Sequence, residues 1–311
     1  MANSLTICHK LSAISKYMYK QIDSNKRKTV ILITIFIVFV LFIGWLYGYI
    51  TDTGYMGLTL AIIISLVMTA FSYYAGDKVA LASAGAQLIT HDQNPYVYRM
   101  VENLCITAGL PLPKVYIIND PNINAFATGR DPQHASVAIT QGAIDKLANE
   151  ELEGVIAHEL SHVKNFDIRL MMVIIVLVGI IALISDWLMR GFLWNKSDRD
   201  KGNAGAIFLI VGIVLAILSP LIAQLIQLAV SRKREYLADA DGSLLTRYPQ
   251  GLANALEKIN QENIQPLRRA NNATAHLYIA NPFGQTKKFL SAMFSTHPPI
   301  EDRIAKLRAM A

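Results

Sequence analysis

Cysteine is nearly absent from this chain: Cys8 and Cys105 are its two thiols. Two isolated cysteines are too few for a disulfide framework, and neither has the paired spacing of a thiolate metal site. A stapled secreted domain is thereby excluded, and reduced thiols facing the cytoplasm are the expected state. Charge is scarce as well. Only 17% of the 311 residues are charged, 53% are hydrophobic and the mean hydropathy is +0.33, so the apolar excess must be concentrated somewhere. Internal repeats, low-complexity tracts and RNA- or DNA-binding motifs are all missing. The net charge of +6 therefore does not indicate nucleic acid as a partner. The basic residues gather beside hydrophobic stretches, as the flanks of membrane helices do.

Four apolar runs account for the excess: Val30 to Ile50, Tyr55 to Ala75, Leu170 to Met189 and Ala204 to Val230. Each is about long enough to cross a bilayer. The first is too long for a signal-peptide core and no small-residue cleavage pattern follows it, so it reads as a retained helix. Ahead of it stand Lys10, Lys16, Lys20, Lys26, Arg27 and Lys28, whereas the turn Thr51 to Gly54 has no Lys or Arg. The positive-inside rule then places the N-terminus in the cytoplasm. The loop between the third and fourth runs carries Arg190, Lys196, Arg199 and Lys201. Those positives oppose its placement on the far side.

Between the second and third runs the chain reads as soluble. Tyr96 to Ala108 has helical periodicity and stops at Gly109 and Pro111, and short strands are predicted at Lys114–Ile118, Asn124–Thr128 and Ser136–Thr140. A further helix follows, with Asn149 as its expected N-cap and Glu150, Glu151 and Glu153 loading the turn where the helix dipole favours acids. This helix contains His158-Glu159-Leu160-Ser161-His162, an H-E-x-x-H pattern. Positions four apart share one helix face, so both imidazoles can reach one metal ion. Glu159 then sits where it can take a proton from water.

A catalytic zinc takes three protein ligands and keeps one position open. Glu235 follows the fourth apolar run just as His162 precedes the third. If the two runs form a hairpin across the bilayer, both residues return to the same face, and Glu235 is the expected third ligand. This outweighs the charge conflict in the loop. Asp239, four residues on, shares that face and is placed to accept the free N–H of a liganding histidine. His9, His91, His134 and His276 are taken as ordinary polar residues.

H-E-L-S-H at 158–162, R-E-Y-L-A-D at 234–239, S-T-H-P-P at 295–299 and I-N-A-F-A-T-G at 123–129 together resemble the HtpX membrane zinc proteases, over roughly residues 28 to 311. The resemblance implies one Zn2+ per chain held by His158, His162 and Glu235, with Glu159 as general base. It further implies that Asn124 and its strand form the edge on which an extended substrate pairs. His297 would stabilise the oxyanion, and Arg303 would support the acidic residues near the metal. The expected function is endopeptidase action on misfolded or damaged membrane proteins under stress, at the bacterial inner membrane with the catalytic domain in the cytoplasm. A specialised CAAX-type processor of prenylated C-termini is the alternative, and a non-proteolytic scaffold with structural zinc is a weaker one.

The expected architecture is a mainly α membrane protein with four transmembrane helices and a cytoplasmic zincin-like α+β metalloprotease domain containing a small sheet. Residues 1–28 form a basic cytoplasmic segment, 29–76 helices 1 and 2, 77–168 the part with the histidine motif, 169–230 helices 3 and 4, and 231–311 the part with Glu235. The first 27 residues exceed the usual family lead. They suit either an amphipathic segment on anionic lipid, with Leu5, Ile7, Leu11 and Ile14 on one side, or a disordered tail.

Overall fold

Where the sequence places its first membrane run, the backbone is helical well before the run begins. Helix α1 spans Ala2–Ile50, unbroken at residue 28, and α2 spans Met56–Ala84. The computed structural model describes residues 2–50, 54–174, 232–262, 265–269, 274–283 and 298–310. Among these, α2 is the one helix that is long and apolar enough to cross a membrane by length and composition. Beyond residue 174, the expected third and fourth spans fall outside the described residues, so four spans remain an expectation and α2 is the one candidate among the described residues.

The two long helices pack antiparallel through glycines. A Cβ on Gly57 would lie 2.5 Å from the Gly44 carbonyl oxygen, and one on Gly48 would lie 2.3 Å from that of Gly54. Such contacts need bare backbone. Away from this seam, Val30, Ile35, Val38, Leu60, Ile63 and Val67 are exposed. Residues 30–49 of α1 and 56–79 of α2 therefore turn large side chains outward.

Gly85, left-handed at φ 69°, ends α2 by returning its N–H to the Leu81 and Ala82 carbonyls. Strand β1, Ala86–Leu88, follows at once; three residues were too short a run to be read from the sequence. Helix α3 spans Pro95–Ala108, capped by the Asn94 side chain on Val97 N–H and ended by Gly109 at φ 65°. Then come β2 (Lys114–Ile118), β3 (Ala125–Gly129), β4 (Ala135–Thr140) and the short α4 (Gln141–Lys146). The sheet order is β1-β2-β4-β3, with β2 and β4 parallel and the other two pairings antiparallel.

The motif helix α5 spans Asn149–Lys164. Asn149 is its first residue, and the N-cap is Ala148, whose N–H donates to Glu151 Oε2 at 2.8 Å. A helical stretch over residues 167–174 follows. Three helices complete the described fold: α6 (Arg232–Thr246), α7 (Pro249–Glu262) and α8 (Ile300–Arg308).

Alternation along the strands divides the core. Val115, Ala125, Val137 and Ile139 join Leu104 of α3, Leu152, Ile156 and Leu160 of α5, and Leu256 and Ile259 of α7. Ile118, Phe126 and Ala138 face the other way, against Leu81, Ala84, Met171 and Tyr278. The sheet thus has α5 on one side and the end of the α1–α2 pair on the other.

Helix α5 lies so close to its neighbours that glycine is needed at the crossings. A Cβ on Gly154 would lie 2.7 Å from Leu252 N and 3.0 Å from Leu252 Cα. Gly154→Ala should gain about 1 kcal/mol of helix propensity but lose about 1–3 kcal/mol to overpacking. A net fall in the unfolding midpoint of the purified protein is expected. A rise would mean that the crossing has room to spare.

Candidate metal centre

Three elements converge at the centre of the buried core. Helix α5 supplies His158, Glu159 and His162, α6 supplies Glu235 and Asp239, and α8 supplies Arg303. All six are buried. Helix α6 can approach because Gly242 faces the motif: a Cβ there would lie 3.0 Å from His158 N.

Among the described residues, one atom from each of His158, His162 and Glu235 lies within 4.8 Å of the others, which suits a shared metal ion. The two Nε2 atoms are 3.2 Å apart. Glu235 Oε2 is 3.8 Å from His158 Nε2, and its Oε1 is 3.7 Å from His162 Nε2. A tetrahedral ion with metal–nitrogen bonds near 2.0–2.1 Å separates its ligand atoms by about 3.3 Å. The histidine pair matches that spacing, and the glutamate stands about half an ångström wide of it.

The tautomers agree with this reading. His158 Nδ1 lies 2.9 Å from Asp239 Oδ1, and His162 Nδ1 lies 2.9 Å from Asp167 Oδ2. A carboxylate accepts, so each Nδ1 carries a proton, which leaves each Nε2 as the ring nitrogen that would face an ion. Two ring nitrogens 3.2 Å apart call for positive charge between them, the second proton of His162 or a cation. The donor set fits a divalent metal.

Asp239 is where the sequence places it. Asp167 was missed, because five residues beyond His162 a continuing helix would point it elsewhere. The chain turns after α5 through Phe166, left-handed at φ 58°, and the turn brings Asp167 back beneath the ring. Asn124 precedes the edge strand β3, and its side chain is buried. Its Oδ1 accepts from Ala125 N–H (3.1 Å), and its Nδ2 donates to the Ala280 carbonyl (3.2 Å). The side chain braces β3 to the 278–280 segment. His297 lies outside the described residues.

Burial sets the electrostatics. It pulls the His158 pKa down to about 4 and pushes that of Glu159 up to about 7, with the nearby Glu235 adding to the rise. For His162 burial works downward, but the Asp167 hydrogen bond and the Glu235 charge prevail and raise it to about 9. Burial would raise Asp239 too, yet Arg303 and His158 hold it down at about 2. Arg303 grips Asp239 with two nitrogens, Nε at 2.9 Å and Nη2 at 2.7 Å, and donates Nη1 to the Ile279 carbonyl at 3.1 Å. Glu159 Oε2 accepts from Ala127 N–H of β3 at 2.8 Å.

Comparison with known proteins identifies the family of the chain. The family model of peptidase family M48 matches residues 91–311. The protease HtpX homolog of Dictyoglomus turgidum is 46% identical over 292 residues, covering 94% of each chain. That of Thermoanaerobacter pseudethanolicus is 43% identical over 299 residues, covering 95% of this chain and 98% of its own. Among solved structures, S. mikatae Ste24p shares the fold with a TM-score of 0.50 at 18% identity, over 93% of this chain and 67% of its own.

Arg303→Met leaves Asp239 buried without its cation and should cost about 3–5 kcal/mol, read as a lower midpoint of chemical unfolding in detergent. Arg303→Lys should recover only part, since an ammonium cannot reproduce the fork. An unchanged midpoint in the Met variant would show that the pair adds no net stability.

Proposed function

The chain belongs to peptidase family M48, and from that premise we propose that it is a membrane-held zinc endopeptidase whose substrates are misfolded or damaged membrane proteins. It is a metallopeptidase of the HtpX type; the choice of zinc, the residue roles and the substrate class are our reading. One observation carries it: two imidazole Nε2 atoms and a glutamate converge on one point, with the Glu159 carboxylate beside them.

His158, His162 and Glu235 would hold the ion, which matches the two-histidine, one-glutamate set of catalytic zinc and leaves a position open. When bound, zinc supplies Lewis acidity, polarising the scissile carbonyl and lowering the pKa of a water molecule. Glu159 takes the proton of the attacking water and passes it to the leaving amine. Its Oε2 is held by Ala127 N–H, so Oε1 is the atom we assign to the transfer.

The register of β3 bears on how an extended chain would lie. Thr140 N–H donates to the Asn124 carbonyl, so residues 124, 126 and 128 pair with β4, and 125, 127 and 129 turn their backbone outward. The Ala125 carbonyl is already taken by Ile279 N–H and the Ala127 N–H by Glu159. We assign substrate pairing to the remaining groups, the Ala127 carbonyl and Gly129. Asn124 serves that edge by bracing it, and His297 remains our candidate for the oxyanion.

The outward apolar faces of α1 and α2 support a membrane location. His162 and Glu235 meet although residues 169–230 separate them, which supports a stretch that crosses and returns to the same side. We place the domains as the sequence divides them: catalytic parts at 77–168 and 231–311, in the cytoplasm, at the bacterial inner membrane. The likeness to Ste24p makes CAAX-type processing the function of a relative in fold, and it does not displace the HtpX reading. A structural-zinc scaffold would want a fourth protein ligand.

The test is cleavage of an unfolded model protein by the full chain, purified in detergent with zinc supplied. Glu159→Gln should lower the rate at least about a hundredfold while still holding one zinc. Glu235→Gln should lose both zinc and activity. Proteolysis undiminished in Glu159→Gln would overturn the assignment.

A further inference from the structure

Asn25 is a polar residue buried on α1, within the basic N-terminal stretch that the catalytic reading leaves without a task. Both of its amide protons are committed to one turn. Nδ2 donates to Asp167 Oδ1 at 2.6 Å and to the Asn165 carbonyl at 3.1 Å. The reverse orientation would set the amide oxygen against a carboxylate, so the donor direction is determined by charge.

Asp167 is the carboxylate that fixes His162 Nδ1. Its Oδ2 faces the imidazole and its Oδ1 faces α1. Among the described residues the other group at Oδ1 is Arg234, whose Nη1 stands at 3.5 Å while its Nε and Nη2 have no hydrogen-bond partner there. Asn25 therefore makes the closer contact. The same turn meets α1 a second time, where Lys26 Nζ lies 4.7 Å above the Phe166 ring. Phe166 is the left-handed residue that brings Asp167 back, a conformation that is unfavourable for a non-glycine residue and needs its surroundings to hold it.

We propose that Asn25 is a positioning residue for the metal centre: through Asp167 it orients His162, so that metal affinity depends on α1 being docked against the 165–167 turn. The inference rests on the reading of His162 as a metal ligand. Both ends of the chain then serve the two histidines. Arg303 of α8 holds Asp239 behind His158, and Asn25 of α1 holds Asp167 behind His162.

The experiment measures zinc dissociation constants of the full chain in detergent, by competition with a chelator of known affinity. Wild type should hold one zinc that His162→Ala loses. If wild type holds none, the metal reading itself fails and the role of Asn25 fails with it. Asn25→Leu, close in size, should weaken zinc about tenfold, the lower end of the effect of groups that orient ligands. Asp167→Asn should weaken it at least as much, and the double variant no more than Asp167→Asn alone, because both act on one contact. Thr29→Val removes the Thr29 Oγ1 bond to the Asn25 carbonyl and touches neither Asp167 nor the turn; it should leave affinity within about twofold of wild type. The proposal is overturned if Asn25→Leu binds zinc as wild type does, if Thr29→Val weakens binding equally, or if the two single losses multiply.

Discussion

Two imidazoles must present their Nε2 atoms to one point inside a buried core, and the rest of the structure depends on how that is arranged. An imidazole ring turns about its χ angles unless its other nitrogen is held. Asp239 and Asp167 hold these two, each at 2.9 Å. A buried carboxylate is costly unless paired, so the requirement passes outward to Arg303, Arg234 and Asn25. Charge compensation thus spreads from the α5–α6 crossing to both ends of the chain.

This outward spread explains why so many charged groups lie in the core of a chain with little charge overall. Arg234 and Arg303 are among its largest fully buried side chains. Each accompanies a carboxylate, and each carboxylate accompanies a histidine. The close approach of the helices belongs to the same constraint. Gly242 lets α6 lie against His158; a larger residue would move Glu235 away from the histidines. The sheet contributes less to the chemistry than to its placement. Its edge strand β3 gives the Ala127 N–H to Glu159, setting the carboxylate beside the metal ligands.

Much of this was legible along the chain. H-E-x-x-H marks its site because an interval of four is a property of the helix itself, and Asp239 could be read by the same interval from Glu235. The strands of the sheet were visible as short β-branched or aromatic segments between turn-rich breaks, apart from β1, where three residues carry too little pattern. Asp167 was not legible, because its place beside His162 depends on one left-handed residue after the helix. Asn124 was read with its strand as a substrate edge; that its side chain is held by the backbone of a segment 156 residues away was not legible along the chain. Asn149 looked like an N-cap. The helix starts at it instead, because Glu151 reaches back to Ala148 N–H.

The sequence by itself determined the chemistry: the types and local spacings of the metal-directed residues, the apolar runs, and membership in a metallopeptidase family. The spacings and runs follow from short-range periodicity and composition, which a linear pattern records; the family follows from likeness to related chains. Only the tertiary structure decided which groups orient the histidines. Asn25 and Asp167 are 142 residues apart, and nothing along the chain pairs them. Their meeting follows from how α1 docks against the turn after α5, where one buried carboxylate needs a donor and the nearest comes from the opposite part of the fold.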